Sequence, residues 1–163
     1  MKIAEEIIQK LNLQPLAREG GLFRSTYRSV GKCDGKDMGS AIYFMLVGNA
    51  FSHLHRLPTD EVYHFYGGDP VMFTELLPDG TVKQTTFGSD ILAGEQVQYV
   101  AKAGNWQGSR LKEGGTYALM GTTMSPGFDE EDYEHATDPE MLKESYPQMS
   151  EEIDRLTGEA KFR

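Results

Sequence analysis

The sequence has a single cysteine and no long apolar run. With Cys33 alone in 163 residues, no disulfide can form within the chain, which is typical of proteins in a reducing cytoplasm. The longest unbroken apolar run, residues 41–47, is far shorter than the roughly 20 residues of a membrane-spanning helix. Glu5 and Glu6 lie where a secretory signal needs apolar residues. We therefore expect a cytoplasmic protein that does not cross a membrane.

The sequence also lacks the basic face that nucleic-acid binding requires. The formal net charge is -9, and residues 129–154 alone carry 11 acids and one base, so the rest of the chain is close to neutral. No run of Lys and Arg is interleaved with aromatic residues. We expect no nucleic-acid partner. We interpret the acidic segment as a solvated helical face, with a docking site for a basic partner as the alternative.

The residue pattern predicts one mostly β domain over residues 1–163. Residues 1–13 place apolar side chains at helical spacing and predict a short amphipathic helix. Residues 20–125 contain short runs rich in Tyr, Phe, Val, Thr and Ile between turn residues, which is typical of a sandwich or a jelly-roll barrel. Residues 126–163 are acidic, and we expect them to close the chain with helices.

Two local signals support this division of the chain. Asp79-Gly80 stands between two strand-like runs, and both residues tolerate the positive φ that a tight hairpin turn requires. Asp138 precedes Pro139, an order typical of an N-cap followed by the first helical position. The sequence thus predicts a β-hairpin at the first site and the start of a helix at the second.

Three of the four histidines lie within residues 53–64. If His53 and His55 lie on one strand, their side chains share a face, because the strand period is two. A bend after them would return the chain and bring Glu61 beside both imidazoles. Two histidines and one carboxylate suit a divalent metal such as Fe, Mn, Ni or Zn. We therefore predict that these three residues are metal ligands.

The spacing of these residues resembles the first motif of the cupin superfamily, in which a glycine precedes His-x-His and a glutamate and a second glycine follow. The matching residues are Gly48, His53, His55, Glu61 and Gly68. Further blocks narrow the resemblance to the Cupin_5 family, also called DUF985: they lie at residues 19–29, 40–44, 55–61, 64–67 and 125–128. This resemblance implies an all-β cupin jelly roll (an RmlC-like double-stranded β-helix), a homodimer and a pocket of unsettled chemistry.

The sequence departs from the wider superfamily at its second motif. Lys102 stands in place of the expected proline, and Gln107 occupies the usual histidine position. The resemblance implies Gln107 as the fourth metal ligand, although an amide oxygen binds divalent transition metals less strongly than an imidazole does. The alternative is a hydrogen-bonded polar cluster that binds no metal.

Other side chains are candidates for binding a ligand. We predict that Arg24 and Arg28 share one face of a strand and clamp a carboxylate or phosphate, with surface salt bridges or contacts across a dimer as the alternatives. Four aromatic residues are the candidates for a pocket wall, with filling of the core as the alternative. They are Tyr43, Tyr63, Phe65 and Trp106.

These observations leave three functions open. The first is a cupin that binds a small polar or anionic molecule and transforms it with a metal, as an isomerase, hydrolase or oxygenase. The second is a metal-free enzyme resembling sugar-nucleotide epimerases, in which a histidine and a tyrosine move protons. The third is a non-catalytic binding or storage protein. For the enzymes, the predicted catalytic residues are His55, Glu61 and Tyr63.

Overall fold

The computed structural model describes residues 2–163. Within this range the chain begins and ends with helices and forms strands between them. The α-helices are α1 (Lys2–Leu11), α2 (Pro139–Ser145) and α3 (Ser150–Arg155). Short 3-10 helices lie at Ile91–Ala93, Glu130–Asp132 and Pro147–Met149. The strands are β1 (Gln14–Pro15), β2 (Leu22–Arg28), β3 (Lys32–Cys33), β4 (Lys36–Asp37), β5 (Ser40–Val47), β6 (Phe51–Arg56), β7 (Glu61–Gly68), β8 (Val71–Leu76), β9 (Val82–Phe87), β10 (Gln98–Ala101), β11 (Trp106–Leu111), β12 (Tyr117–Met124) and β13 (Glu134–His135).

Two antiparallel sheets form the body of the fold. The first has the strand order β1-β2-β5-β12-β7-β10, and the second has the order β13-β6-β11-β8-β9. Strands β3 and β4 form a separate small hairpin. Since neighbours along the chain, such as β6 and β7, lie in different sheets, the chain passes repeatedly between the two. This arrangement confirms the predicted jelly roll.

An apolar core fills the space between the sheets. Phe44 and Met120 of the first sheet and Phe73 and Phe87 of the second are almost fully buried in it. Burial of such side chains removes apolar surface from water, at roughly 25 cal/mol per Å².

The helices cover the outer faces of the sheets. Ala4 and Ile8 of α1 pack against Met45 on the outside of the first sheet. Ile153 of α3 and the nearby Leu156 pack on the outside of the second sheet. The N-terminal and C-terminal helices are therefore part of the same folded unit as the sheets.

Both local predictions are confirmed. The hairpin between β8 and β9 turns at Asp79 and Gly80, where Oδ1 of Asp79 accepts a hydrogen bond from the backbone N–H of Thr81 at 2.9 Å and Gly80 has a φ of 87°. Oδ1 of Asp138 accepts from the backbone N–H of Met141 at 3.0 Å and caps α2.

The segment 126–163 contains more than the predicted helices. Glu134 and His135 form β13 and pair with Arg56 and His55 at the edge of the second sheet. Their pairing partners lie far away in sequence, which explains why local composition did not predict this strand. In the part of the chain that the structure describes, no helix is long and apolar enough to cross a membrane.

Candidate functional site

The site begins with the pairing of β6 and β11. His55 lies opposite Gln107, and Ser52 lies opposite Ser109. These two pairs are three residues apart on β6 but only two residues apart on β11, so β6 has one extra residue, a β-bulge, between Ser52 and His55. Such a bulge locally changes the direction in which the side chains point. The sequence pattern His-x-His did not reveal it.

His55, Gln107 and Glu61 form one hydrogen-bonded group. Nε2 of Gln107 donates to Oε2 of Glu61 at 2.6 Å and lies 3.1 Å from Nε2 of His55. All three residues are buried. Glu61 begins β7 in the first sheet, whereas the other two lie in the second. The structure therefore brings together three of the predicted ligands across the interior.

The hydrogen bonds assign one tautomer to the His55 imidazole. Nδ1 lies 2.7 Å from the carbonyl oxygen of His53, and since a carbonyl only accepts, Nδ1 carries the proton. Nε2 is then unprotonated and accepts from the Gln107 amide. Both N–H bonds of the Gln107 amide are thus used, one on Glu61 and one on His55.

His53 lies apart from this group. Nδ1 of His53 lies 2.9 Å from the carbonyl oxygen of Leu54, and its ring stacks on that of His135 with 3.8 Å between ring centroids. The pKa of His53 is lowered by burial, with a smaller contribution from His55. The structure thus places His53 against β13 and not beside Glu61.

A cavity of about 70 Å³ lies next to His55 and Glu61. Six apolar and six polar residues line it. The apolar lining residues are Leu16, Phe23, Ile42, Leu57, Met124 and Phe128. The polar lining residues are Glu19, Ser40, His55, Glu61, Thr122 and Tyr133.

Glu19 is a member of the site that the sequence analysis did not single out. Burial of its carboxyl raises its pKa, the charge of Glu61 raises it further, and His55 opposes the shift. Oε1 of Glu19 accepts from the hydroxyl of Ser52 at 2.6 Å. The sequence feature that could have pointed to Glu19 is the pair of glycines that follows it. At Gly20, φ is 96° and a Cβ would lie 2.4 Å from the carbonyl oxygen of Phe51, so a larger residue does not fit there.

Two tyrosines border the site. Tyr63 lies in the core, where its ring packs on Phe73 with 5.0 Å between centroids. Burial and the charge of Glu61 raise the pKa of Tyr63. Tyr133 stacks on His55 with 5.1 Å between centroids, and burial raises its pKa as well. Tyr133 lines the cavity, whereas the predicted Tyr63 does not.

The structure does not bring Arg24 and Arg28 together. Arg24 pairs with Tyr43 and Arg28 with Ser40, so β2 has one more residue than β5 between these pairs. Directly opposite residues of antiparallel strands point to the same face, and positions 43 and 40 of β5 point to opposite faces. The predicted clamp is therefore not formed.

The contacts of the two arginines are consistent with this separation. The guanidinium of Arg24 lies over the ring of Tyr43, 5.4 Å from its centroid. Arg28 donates to Asp37 at 2.6 Å and to the carbonyl oxygen of Phe128 at 3.0 Å. The salt bridge of Arg28 agrees with the alternative raised from the sequence.

The predicted aromatic wall is also distributed differently. Tyr43 lies in the cluster under α1, and Phe65 packs against the core between the sheets. Trp106 packs with the C-terminal helices on the outside of the second sheet, because it neighbours Gln107 on β11 and adjacent strand residues point to opposite faces. None of the three lines the cavity.

The side chains of the predicted metal centre hydrogen-bond to one another. Nε2 of His55 and Oε2 of Glu61 both accept from the Gln107 amide, and His53 points elsewhere. Among residues 2–163, no three His, Cys, Asp or Glu side chains are placed to hold an ion. As arranged, His55, Glu61 and Gln107 form a hydrogen-bonded polar cluster.

The family model of Cupin_5, described as cupin superfamily (DUF985), matches residues 5–136. This chain belongs to the Cupin_5 family. The match covers β1 to β13 and thus all the residues of the cavity. No curated protein matches the sequence.

Two solved structures resemble this Cupin_5 chain over nearly its whole length. Protein SO0799 from Shewanella oneidensis is 33% identical with a TM-score of 0.88, over 96% of this chain and 98% of that one. A hypothetical protein from Leishmania major is 31% identical with a TM-score of 0.88, over 96% of this chain and 99% of that one. These similarities support the family assignment.

A more distant similarity shows the fold alone. Oxalate decarboxylase from Bacillus subtilis is 18% identical with a TM-score of 0.57, over 93% of this chain and 39% of that one. Its structure was described in a study of Mn(II) centres in that enzyme. The Cupin_5 chain therefore shares its jelly-roll fold with that enzyme.

Proposed function

We propose that the cavity binds a small molecule and that Glu19, His55 and Glu61 transfer protons to and from it. The observation that carries this proposal is the convergence of two carboxyls and one imidazole on a cavity with apolar walls. Groups of this kind act as general acids and bases when burial and neighbouring charges shift their pKa values. The raised pKa of Glu19 is such a shift.

The two carboxyls differ in a way that suits opposite roles. Glu19 has a raised pKa and therefore holds its proton to a higher pH than an exposed glutamate does. Oε2 of Glu61 accepts one hydrogen bond from the Gln107 amide at 2.6 Å, whereas Oε1 of Glu19 accepts one from the Ser52 hydroxyl. Pairs of carboxyls whose environments differ in this manner commonly divide into an acid and a base.

A proton transfer beside a carbonyl group illustrates the chemistry. The Glu61 carboxylate takes a proton from the carbon next to the carbonyl, and the electron pair of that C–H bond forms a carbon–carbon double bond. The carbonyl oxygen takes the proton of the Glu19 carboxyl and becomes an enol hydroxyl. The reverse steps return a proton to carbon, so the net reaction is exchange or isomerisation without any redox change.

Exchange with solvent deuterium tests this proposal. Hydroxyacetone is a small carbonyl compound, and its loss of C–H signal in D₂O can be followed by proton NMR. We expect the protein to accelerate this exchange, Glu61→Gln to abolish the acceleration, and the exposed control Glu6→Gln to retain it. Equal rates for the wild type and Glu61→Gln would contradict the proposed proton transfer.

A second candidate function is metal-dependent chemistry. The convergence of His55, Glu61 and Gln107 supports it, and so do the Mn(II) centres described for the distant oxalate decarboxylase. Metal binding would require these side chains to exchange their mutual hydrogen bonds for an ion. Elemental analysis of protein purified without a histidine tag tests it. Stoichiometric metal that is lost in both His55→Ala and Glu61→Ala would support this candidate.

A further inference from the structure

The outer face of the first sheet carries two rows of directly paired residues that cross β2, β5, β12, β7 and β10 in that order. The first row consists of Tyr27, Ala41, Thr123, Val62 and Val100. The second row consists of Arg24, Tyr43, Gly121, His64 and Gln98. Helix α1 packs on the next row, at Met45, and the cluster beneath it extends to Tyr43. The two rows, together with Tyr66, which lies over Gly121, are called the outer patch.

The residues of the outer patch point away from the interior. Their neighbours along the strands face inward: Glu61 and Thr122 line the cavity, and Tyr99 packs against the core. Side chains alternate between the two faces of a strand, so the first row lies on the outside of the sheet. The second row lies there as well, because it is two residues away along β5, β12, β7 and β10.

The composition of the outer patch differs from that of a face in contact with water. An antiparallel sheet with one solvated face usually has polar side chains on that face. Among Asp, Glu, Lys and Arg, the patch contains Arg24 alone, although these residues make up 25% of the chain. Tyr27 and Tyr66 are 57% and 55% exposed, and Val100 is 40% exposed. Exposed aromatic and β-branched side chains that adjoin one another are typical of a contact surface.

The charge of the chain favours one kind of partner at this face. Each copy carries a formal net charge of -9, and two such copies repel wherever acidic residues face each other. The outer patch holds no acidic residue, so two copies can approach there without that repulsion. Two sheets of the same twist also pack face to face with their strands nearly aligned. A second copy of this chain brings such a sheet.

We infer that the outer patch binds a second copy of this chain, with a two-fold axis that runs along β12. β12 is the middle strand of the five, in the order β2-β5-β12-β7-β10. Rotation about this axis places β2 of each copy opposite β10 of the other, and each row opposite its own equivalent. Such an interface is isologous, because both copies use the same surface. A contact face and an axis are thus assigned to the homodimer expected from the sequence.

The two ends of the second row are complementary under this rotation. Arg24 lies at the β2 end, where its guanidinium packs over Tyr43 and forms no ion pair among residues 2–163. Gln98 lies at the β10 end, where Nε2 is 3.4 Å from Nδ1 of His64 and Oε1 has no partner among the same residues. A guanidinium only donates and an amide oxygen only accepts. Arg24 of each copy therefore meets an acceptor, Oε1 of Gln98 in the other copy.

The size of the outer patch sets how far the interface extends. Five strands about 4.8 Å apart and two rows about 7 Å apart give, with the side chains at the margin, a flat area of roughly 300 Å². A standard interface buries about 800 Å² on each partner. The contact therefore extends beyond the two rows at the end of β2 and β5, where Val30 is 98% and Met38 is 55% exposed.

Sedimentation equilibrium of the full chain tests the contact face. We expect the wild type to have twice the chain mass of 18.2 kDa. Tyr66→Asp puts a charge into the middle of the neutral face, where burial without a partner is costly, and should raise the dissociation constant of the dimer at least tenfold. The matched control is Met141→Asp, because Met141 is 53% exposed and lies on α2, which packs outside the second sheet. This control should leave the dissociation constant unchanged.

Two variants of Gln98 test the axis. Gln98→Glu places a carboxylate opposite Arg24 and should tighten the dimer, whereas Gln98→Arg brings two guanidinium groups together and should weaken it. We expect the dissociation constants of the two variants to differ at least tenfold. Gln98 is exposed on the edge strand β10, so neither substitution disturbs the core.

Each result supports or overturns a part of the inference. A wild type with a mass of 18.2 kDa at every concentration would overturn the dimer. A dimer that Tyr66→Asp and Met141→Asp affect equally would show that the copies meet at another face. Equal dissociation constants for the two Gln98 variants would overturn the axis. If Tyr66→Asp fails to fold, the Gln98 variants still decide, because they change an exposed residue of the same face.

Discussion

Gln107 donates from Nε2 to Oε2 of Glu61 over 2.6 Å and thereby joins the two sheets of the jelly roll. The same nitrogen supports the unprotonated Nε2 of His55. One amide thus holds the carboxyl of Glu61 and the imidazole of His55 in fixed positions next to the cavity. Polar groups buried in this way are costly when a partner is removed.

Replacing the amide by an apolar side chain of similar size should destabilise the protein. In Gln107→Leu, Glu61 and His55 lose their common donor, and each buried group left unsatisfied costs about 1–3 kcal/mol. We expect the free energy of unfolding in urea to fall by this amount. The control Gln14→Leu changes an exposed residue, and equal stability of the two variants would show that the amide contributes nothing.

Replacing the same amide by an imidazole should create a metal site. In Gln107→His, the new ring nitrogen joins Nε2 of His55 and the Glu61 carboxylate, a donor set that suits Zn(II) or Ni(II). We expect isothermal titration with Zn(II) to give affinity at least tenfold above that of the wild type. Gln9→His adds a histidine on the exposed side of α1, and the same gain in that variant would contradict the prediction.

The raised pKa of Glu19 should make stability fall as the pH rises. The folded state binds the Glu19 proton more tightly than the unfolded state does. Between the ordinary pKa of 4.5 and the higher pKa of the folded state, each pH unit therefore lowers the free energy of unfolding by at most about 1.4 kcal/mol. Glu19→Gln removes this titration and keeps an acceptor for Ser52. We expect the stability of the variant relative to the wild type to increase with pH in urea unfolding, and a difference that is independent of pH would contradict this.

His135 should titrate at an unusually low pH. Burial, followed by the charges of His53, Arg18 and His55, lowers its pKa from 6.5 to about 4. The unfolded state therefore binds this proton more readily, and the stability that neutral His135 contributes is complete above pH 6.5 and is lost as the pH falls toward 4.

NMR titration of the imidazole signals checks this value. The signal that disappears in His135→Phe belongs to His135, and its midpoint should lie near pH 4. The phenylalanine ring keeps the stacking on His53 without a titrating group, so the variant should lose less stability on acidification. A midpoint close to 6.5 would show that the stack with His53 does not form in solution.

The sequence was sufficient where structure follows from neighbouring residues. Turn residues such as Asp79 and Gly80 and the cap at Asp138 act within a few positions, so the hairpin and the start of α2 could be predicted. The spacing of His55 and Glu61 also allowed their meeting to be predicted, as they end one strand and begin the next.

Alternation along a strand was reliable only between bulges. One extra residue between Ser52 and His55, and one between Arg24 and Arg28, changed which face each side chain occupies. A bulge depends on the partner strand, so it cannot be found in either segment alone.

The amino-acid sequence by itself determined the family, the alternation of strands and turns, and the residue types available for chemistry. The tertiary structure alone decided that Glu19 joins His55 and Glu61 at one cavity, while His53 and Trp106 do not line it. The reason is that hydrophobic pattern and turn chemistry are local, whereas contacts between residues far apart in the chain arise only when the sheets pack face to face.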